Sequence, residues 1–173
     1  MYINDVLMIS AVLVAPFFAV CAQRQIDLIR EKRVQKLWVF RTLMGTRGNK
    51  VSLEHVQALN SIELFFNDER EYKPILDKWN EYLDHLTTQG PPANNPDFKT
   101  ELISWGIKAD DLLAELLLAM GKSLGFNFDK VKIKRGIYSP VAHGDENNDK
   151  QTIRKGFAEI LRGKACLPIK IIP

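Results

Sequence analysis

The longest uncharged stretch of the chain lies near its N-terminus, from Val6 to Ala22, between Asp5 and Arg24. Seventeen residues at a helical rise of about 1.5 Å each span roughly 25 Å, the short end of what crosses a bilayer core. The stretch therefore predicts a transmembrane helix. Its short length, with Ser10 and Pro16 inside it, leaves a buried helix of a soluble fold as the alternative.

Basic residues dominate the chain directly after this stretch. Residues 24–50 contain eight Lys or Arg residues against Asp27 and Glu31, whereas Asp5 is the only charged side chain before the stretch. Because Lys and Arg are enriched on the cytoplasmic side of membrane helices, the asymmetry predicts an N-terminus outside and a cytoplasmic C-terminal part. The lipid bilayer is then the first expected partner, through its core and its anionic headgroups.

A helical periodicity continues past the uncharged stretch. No Gly or Pro occurs from Gln23 to Met44, so one long helix is predicted over about residues 5–44. One side of it carries residues that recur every three or four positions, at Ile26, Ile29, Arg33, Leu37, Phe40 and Met44. Such a stripe needs cover, either from later helices of the same chain or from a second copy.

Three further helices are predicted, over about residues 52–66, 69–88 and 98–124. Ser52 can cap the first of them, with Val51 packing on Val56 as a hydrophobic staple. The second half of the last helix, Leu112 to Met120, is apolar nearly all round. This segment is predicted to be the central buried helix.

The C-terminal part changes character. Val131 and Ile133 alternate with lysines over residues 130–137, which predicts a short strand or extended arm. A polar loop at about residues 143–149, a helix at about 149–161 and an extended tail at 167–172 that can pair with the strand complete the pattern. The predicted fold is mainly α: an N-terminal transmembrane helix continues into a cytoplasmic helical bundle, with a strand pair near the C-terminus.

Length and charge fit one folded domain after an anchor. The chain has 173 residues, 46% hydrophobic and 26% charged, with a net charge of +3. The predicted organisation is a membrane anchor (1–23), a basic juxtamembrane helix and turn (24–50) and a cytoplasmic helical domain (51–173). The two cysteines, Cys21 and Cys166, form no disulfide framework.

The most concentrated basic group outside the N-terminal part is Lys130, Lys132, Lys134 and Arg135. These residues, with Arg41 and Arg47 beside the first turn, are candidates for binding an anion such as a phosphate. The alternatives are lysines that protect an edge strand from aggregation and arginines that end a basic helix.

Metal and catalytic chemistry have little support in the sequence. His143, Asp145 and Glu146 share one segment and are weak candidates for metal ligands, but a catalytic zinc needs three protein ligands and the other histidines belong to separate helices. Gly121-Lys122-Ser123 lacks the glycine that a phosphate-binding loop carries five residues earlier. No catalytic residue, metal or cofactor is predicted.

Three stretches resemble an uncharacterised bacterial family, a domain of unknown function found in small proteins with an N-terminal membrane helix. They are residues 37–44 with the following Gly-Thr-Arg, residues 51–66, and residues 122–138 with the following Ser-Pro and His143-Gly144. The resemblance implies a bacterial inner-membrane protein with a cytoplasmic helical domain. It implies no activity and no site residue.

The function predicted from these patterns is a membrane-anchored, non-enzymatic module that binds a protein partner or a second copy. The alternatives are a membrane-anchored hydrolase or nucleotide-sensing effector, which would use the His143 segment and the basic strand, and a binder of anionic lipid or nucleic acid. Nucleic acid is disfavoured, because few aromatic residues interleave with the basic ones.

Overall fold

The computed structural model describes residues 2–88, 90–92, 94–136 and 141–166. Side chains are described for these residues except for 3–15, 141–148 and 151. The described residues form seven α-helices and no β-strand. In chain order these are α1 (Tyr2–Thr46), α2 (Leu53–Asn60), α3 (Ile62–Phe65), α4 (Glu69–Thr87), α5 (Phe98–Ser123), α6 (Lys130–Arg135) and α7 (Val141–Leu161). The chain divides into two compact units, Met1–Gly136 and Ile137–Pro173.

Helix α1 confirms the predicted long first helix, since it runs for 45 residues and contains Pro16. The predicted membrane anchor, however, is wrong. Within the described residues, no helix combines the length and the apolar character that crossing a bilayer requires. The uncharged stretch rises only roughly 25 Å, against a hydrocarbon core of about 30 Å. The predicted inner-membrane location and orientation depend on this anchor and are therefore wrong as well. The buried-helix alternative does not hold for residues 16–22 either, because their side chains are exposed.

The core of the first unit is built around the second half of α5, as predicted. Leu113, Leu116, Leu117 and Met120 are buried there, and α5 packs against α1, α4 and α6. Helix α4 contributes a second buried face. Its buried members are Tyr72, Ile75, Trp79, Tyr82 and His85. The predicted central position of α5 is therefore confirmed.

The predicted helix over 52–66 is divided into α2 and α3 at Ser61. The Ser61 hydroxyl donates to Gln57 O at 2.7 Å, and such local bonding by serine competes with the helix ladder. The predicted cap is confirmed, because His55 N donates to Ser52 Oγ at 3.2 Å. The staple is not formed, since the Val51 side chain is 90% exposed.

The predicted strand over 130–137 is wrong. Residues 130–135 form α6, which begins where the Asp129 side chain accepts a hydrogen bond from Val131 N at 2.7 Å. The alternating pattern misled the prediction because a helix this short needs only one buried side chain. Ile133 is buried and Val131 is exposed. The tail at 167–172, its predicted strand partner, lies outside the described residues.

The second unit is described through α7. Its backbone is helical from Val141, so the polar loop predicted at 143–149 is wrong and the predicted helix at 149–161 begins eight residues earlier. Ile153, Phe157 and Leu161 recur every four residues and are all exposed.

Candidate interaction surface

Helix α1 consists of two halves with opposite environments. We call residues 16–34 the arm, because every side chain in this segment is exposed. From Gln35 onward the helix joins the bundle, and Val39, Phe40 and Leu43 are buried in the core. The side chains of the arm are therefore not covered by other described residues of the first unit.

The two halves share one face. Eleven residues make about three helical turns, so positions eleven apart lie above one another. One row therefore runs from Phe17 through Leu28 to Val39, and a second runs from Phe18 through Ile29 to Phe40. Each row is buried at its lower end and exposed above: Phe40 is 3% exposed, whereas Ile29 and Phe18 are both 67% exposed. The apolar face that α1 presents to the core thus continues uncovered along the arm.

The arm is also basic. Residues 16–34 contain four basic and two acidic side chains. Of the two acidic side chains, Asp27 is engaged within the arm, since its Oδ1 accepts from Gln23 Nε2 at 2.9 Å and lies 3.9 Å from the Arg30 guanidinium. At about 100° per residue, Arg24 lies beside the row of Phe17 and Leu28, whereas Arg30 lies beyond Ile29 on the opposite flank of the apolar rows.

The lower end of the arm is fastened to the bundle by polar contacts. Arg33 Nη2 donates to Leu124 O at 3.3 Å, where α5 ends.

At the end of α1, the Thr46 hydroxyl donates to Thr42 O at 2.7 Å and lies 2.8 Å from His55 Nδ1. Its oxygen is then the acceptor for an N–H at Nδ1, which leaves Nε2 of the buried His55 as an acceptor without a partner among the described residues. Burial lowers the pKa of His55, and the nearby Lys50 lowers it further.

A second surface feature lies at the α3–α4 corner. We call it the acidic groove. It is an open cleft of about 470 Å³, lined by Glu63, Phe66, Asn67, Glu69, Lys73, Leu76, Asp77 and Asn80. Three of these residues are carboxylates and one is a lysine, so the groove is negative over a partly apolar floor. Glu63 Oε1 accepts from Trp79 Nε1 at 3.0 Å, and Asp77 lies 3.4 Å from Lys73 Nζ.

A neighbouring pocket of about 400 Å³ lies between α1 and the start of α4. There Lys36 Nζ donates to Tyr72 Oη at 2.5 Å and stands 4.0 Å from the Tyr72 ring centroid. Tyr72 in turn donates to Glu71 Oε1. Burial lowers the pKa of Lys36, and burial together with the Glu71 carboxylate raises the pKa of Tyr72 to about 12. The half-buried lysine is held by Tyr72, so we assign this cluster to joining α1 to the start of α4.

Two of the predicted anion-binding residues are engaged by carboxylates of α5. Lys130 Nζ is 2.8 Å from Glu115 Oε1 and 3.6 Å from Asp111 Oδ1, and Lys134 Nζ is 2.8 Å from Asp111 Oδ1. Lys78 of α4 adds a contact to Glu115 at 3.0 Å. Hydrogen bonds from these lysines lower the pKa values of Asp111 and Glu115. The network attaches α6 to α5.

The other predicted anion-binding residues are divided. Arg47 donates to Ile133 O at 3.0 Å and also to Met44 O and Gly136 O, so it joins the end of α1 to the end of α6. Arg41, Lys132 and Arg135 are exposed. The structure thus does not gather the six residues into one cluster, and anion binding stays a prediction.

The metal candidates His143, Asp145 and Glu146 lie on the helical backbone of α7, and their side chains are outside those described. Elsewhere in the described residues, no group of His, Cys, Asp and Glu could hold a metal ion. His85 has different neighbours from His55. Its Nε2 lies 2.9 Å from Trp105 O and its ring stacks on the Trp105 indole.

Sequence reasoning missed the acidic groove, although a signal was present. Residues 53–72 carry five acidic side chains against one arginine, directly after the basic first helix. That reversal of charge predicts an acidic surface. Its concentration at one corner follows from the break at Ser61 and the turn into α4.

Comparison with known proteins identifies a family. Residues 1–173 match the family described as "Family of unknown function (DUF6680)". This match confirms the resemblance to an uncharacterised family. No curated protein and no solved structure matches the chain.

Proposed function

The chain belongs to this family of unknown function, and from that premise we propose that it is a protein-binding module whose contact segment is the arm of α1. The partner we infer is a protein surface that combines apolar side chains with carboxylates. The bundle formed by α1 to α6 serves as the base that holds the arm.

One observation carries the proposal. The two apolar rows of α1 are buried by neighbouring helices at Val39 and Phe40 and remain uncovered at Leu28, Ile29, Phe17 and Phe18. Contiguous exposed apolar surface on a folded protein is typical of interaction sites, whereas single exposed apolar residues are ordinary. Because the exposed rows continue the core-packing face, another helical surface is the shape they fit best.

The charge of the arm specifies the partner further. Arg24 and Arg30 flank the apolar rows, and aromatic residues and arginine are the types enriched at protein interfaces. Phe17 and Phe18 are suited to act as buried anchors, while the arginines favour a partner with carboxylates at the rim. Lys32 and Arg33, on the apolar side, disfavour an equally basic partner.

The hydrolase and nucleotide-sensing alternatives rest on the His143 segment and stay predictions. The binding role has the firmer support, because its residues are described and share one helix face. Three of the six predicted anion-binding residues are used in internal contacts instead.

A photo-cross-linking experiment tests the proposal. The photoreactive residue p-benzoylphenylalanine replaces Ile29 in the full chain, expressed in its native host, and adducts are identified by mass spectrometry after irradiation. The matched control places the same residue at Val51, which is 90% exposed but lies off the arm. We expect a defined protein adduct from position 29 and none from position 51.

Each outcome of this experiment either supports or contradicts the proposal. A discrete protein adduct that disappears when Phe18→Ser is added supports the arm as a binding segment. Adducts only with lipid, or equal labelling from both positions, would contradict the proposal.

A further inference from the structure

We propose that the surface bound by the arm is the acidic groove of a second copy of this chain. This inference rests on the proposed function and names its partner. Reciprocal exchange of arms between two copies would then form a closed pair, in which each copy gives one arm and receives one.

The groove carries mainly acidic side chains, whereas the arm carries mainly basic ones. Glu63, Glu69 and Asp77 line it against Lys73 alone, and Phe66 and Leu76 supply an apolar floor. The Glu69 carboxylate has no hydrogen bond or ion pair among the described residues, and it is exposed in the first turn of α4. A carboxylate in this state is available to an incoming arginine.

The arm offers the complementary set. Ile29 is 67% exposed and can reach an apolar floor, while Arg30 follows it directly and Arg24 lies on the opposite flank of the apolar rows. Arg30 has only a long contact of 3.9 Å with Asp27, and both side chains of this pair are largely exposed. Exchanging such a surface ion pair for one at an interface loses little, since exposed pairs contribute little.

Only the lower end of the arm lies near the groove of its own copy, where Lys32 lines the neighbouring pocket with Asn67. Helix α1 is uninterrupted from the arm into the core, where Val39, Phe40 and Leu43 fix its direction. Folding the arm back would require breaking the helix. The groove that receives it must therefore belong to another molecule.

Arm-to-arm pairing fits less well. In a parallel pair, Arg30, Lys32 and Lys36 would lie beside the same residues of the other copy, which places like charges together. Docking on the groove instead places basic residues against carboxylates. Mutual docking also gives the isologous contact that two-fold dimers use, and it leaves no free arm to extend a chain of molecules.

Sedimentation equilibrium of the full-length chain tests this inference. We expect a concentration-dependent dimer. Arg30→Glu and Glu69→Lys should each weaken dimerisation by roughly tenfold or more, because each reversal sets two like charges together at the interface. An equimolar mixture of the two variants should recover a heterodimer, since the reversed charges then complement each other.

Matched controls accompany both variants. Glu54→Lys makes the same charge change in the first turn of α2, outside the groove, and Lys108→Glu reverses an exposed lysine on α5. Neither should change the dimer. Circular dichroism of each variant at the temperatures used verifies that the helices remain folded.

The results distinguish this inference from the proposed function. If the chain is a monomer at all concentrations and position 29 still cross-links to a different protein, the binding module stands and the second-copy inference fails. If the chain dimerises but the charge-swapped mixture shows no recovery, the groove is not the receiving surface. If position 29 captures no protein and the chain is monomeric, both ideas fail.

Discussion

The arm and the covered half of α1 have nearly the same face and opposite surroundings. At Phe40 that face meets α5 and the Phe126 and Phe128 rings, with ring centroids 5.5 and 5.9 Å apart. At Ile29, three turns higher, the same face is 67% exposed. The contrast separates what a helix contributes by its own sequence from what its neighbours add.

The difference has consequences for stability along one helix. In the covered half, burial of apolar side chains supports the backbone hydrogen bonds. In the arm, helix propensity and a few contacts between side chains must hold the structure, and isolated helices of this length are marginal in water. A segment of that kind opens locally at low free energy unless a partner covers it.

The largest expected effect comes from shortening a side chain of the same row in its covered part and in its exposed part. Phe40→Ala should lower the free energy of unfolding by about 3–5 kcal/mol, because it leaves a cavity in the core. Ile29→Ala should change it by less than about 0.5 kcal/mol at protein concentrations too low for association. Urea denaturation of both variants measures the difference. Equal losses at both positions would show that the arm is covered within its own molecule.

A smaller effect is expected from two arginines, Arg47 directly after the covered half of α1 and Arg30 in the arm. Arg47→Met removes hydrogen bonds to the carbonyls of Met44, Ile133 and Gly136, and should cost about 1–3 kcal/mol of unfolding free energy. Arg30→Met removes only a long surface contact and should cost less than about 0.5 kcal/mol.

Differential scanning calorimetry compares the two arginine variants. The matched substitution leaves an aliphatic stem at both sites, so the difference reports the hydrogen bonds alone. A loss for Arg30→Met as large as that for Arg47→Met would contradict the assignment of Arg47 as the link between α1 and α6.

The smallest effect concerns pH and involves only the covered half. Burial lowers the pKa of His55 in the folded chain, so the unfolded chain, with an ordinary pKa near 6.5, binds the proton more readily. The stabilisation by neutral His55 is therefore complete above about pH 6.5 and is lost as the pH falls toward the lowered folded pKa.

Urea midpoints measured at pH 7.5 and pH 5.5 and constant ionic strength check this expectation. Wild type should be less stable at pH 5.5. His55→Asn, whose amide can still donate to Thr46, should show a smaller difference between the two pH values. Stability that rises on acidification, or an unchanged pH dependence in the variant, would remove His55 as the cause.

Much of the secondary structure could be predicted because its determinants are local. The unbroken spacing from Gln23 to Met44, the Ser52 cap and the apolar segment of α5 all act within a few turns of the chain. These features specified the long first helix, the start of α2 and the central position of α5. The family resemblance was also readable from short stretches of sequence.

The candidate site was only partly predictable for the same reason. The stripe from Ile26 to Met44 was recognised, and so was its need for cover. The acidic groove was not, because Glu63, Glu69 and Asp77 are brought together by a break at Ser61 and a change of direction into α4. Lys130 and Lys134 were predicted as candidates for anion binding. Their carboxylate partners on α5 were not predicted, because they lie far away in the sequence.

The sequence by itself determined that α1 is a continuous helix with an apolar face. Only the tertiary structure decided that Val39 and Phe40 lie in a core while Leu28 and Ile29 do not. Only the packing of Ile133 on the bundle, likewise, decided for a helix at 130–135 over a strand. The physical reason is the same in both cases: a side-chain pattern fixes which face of a segment is apolar, but cover depends on where distant parts of the chain return.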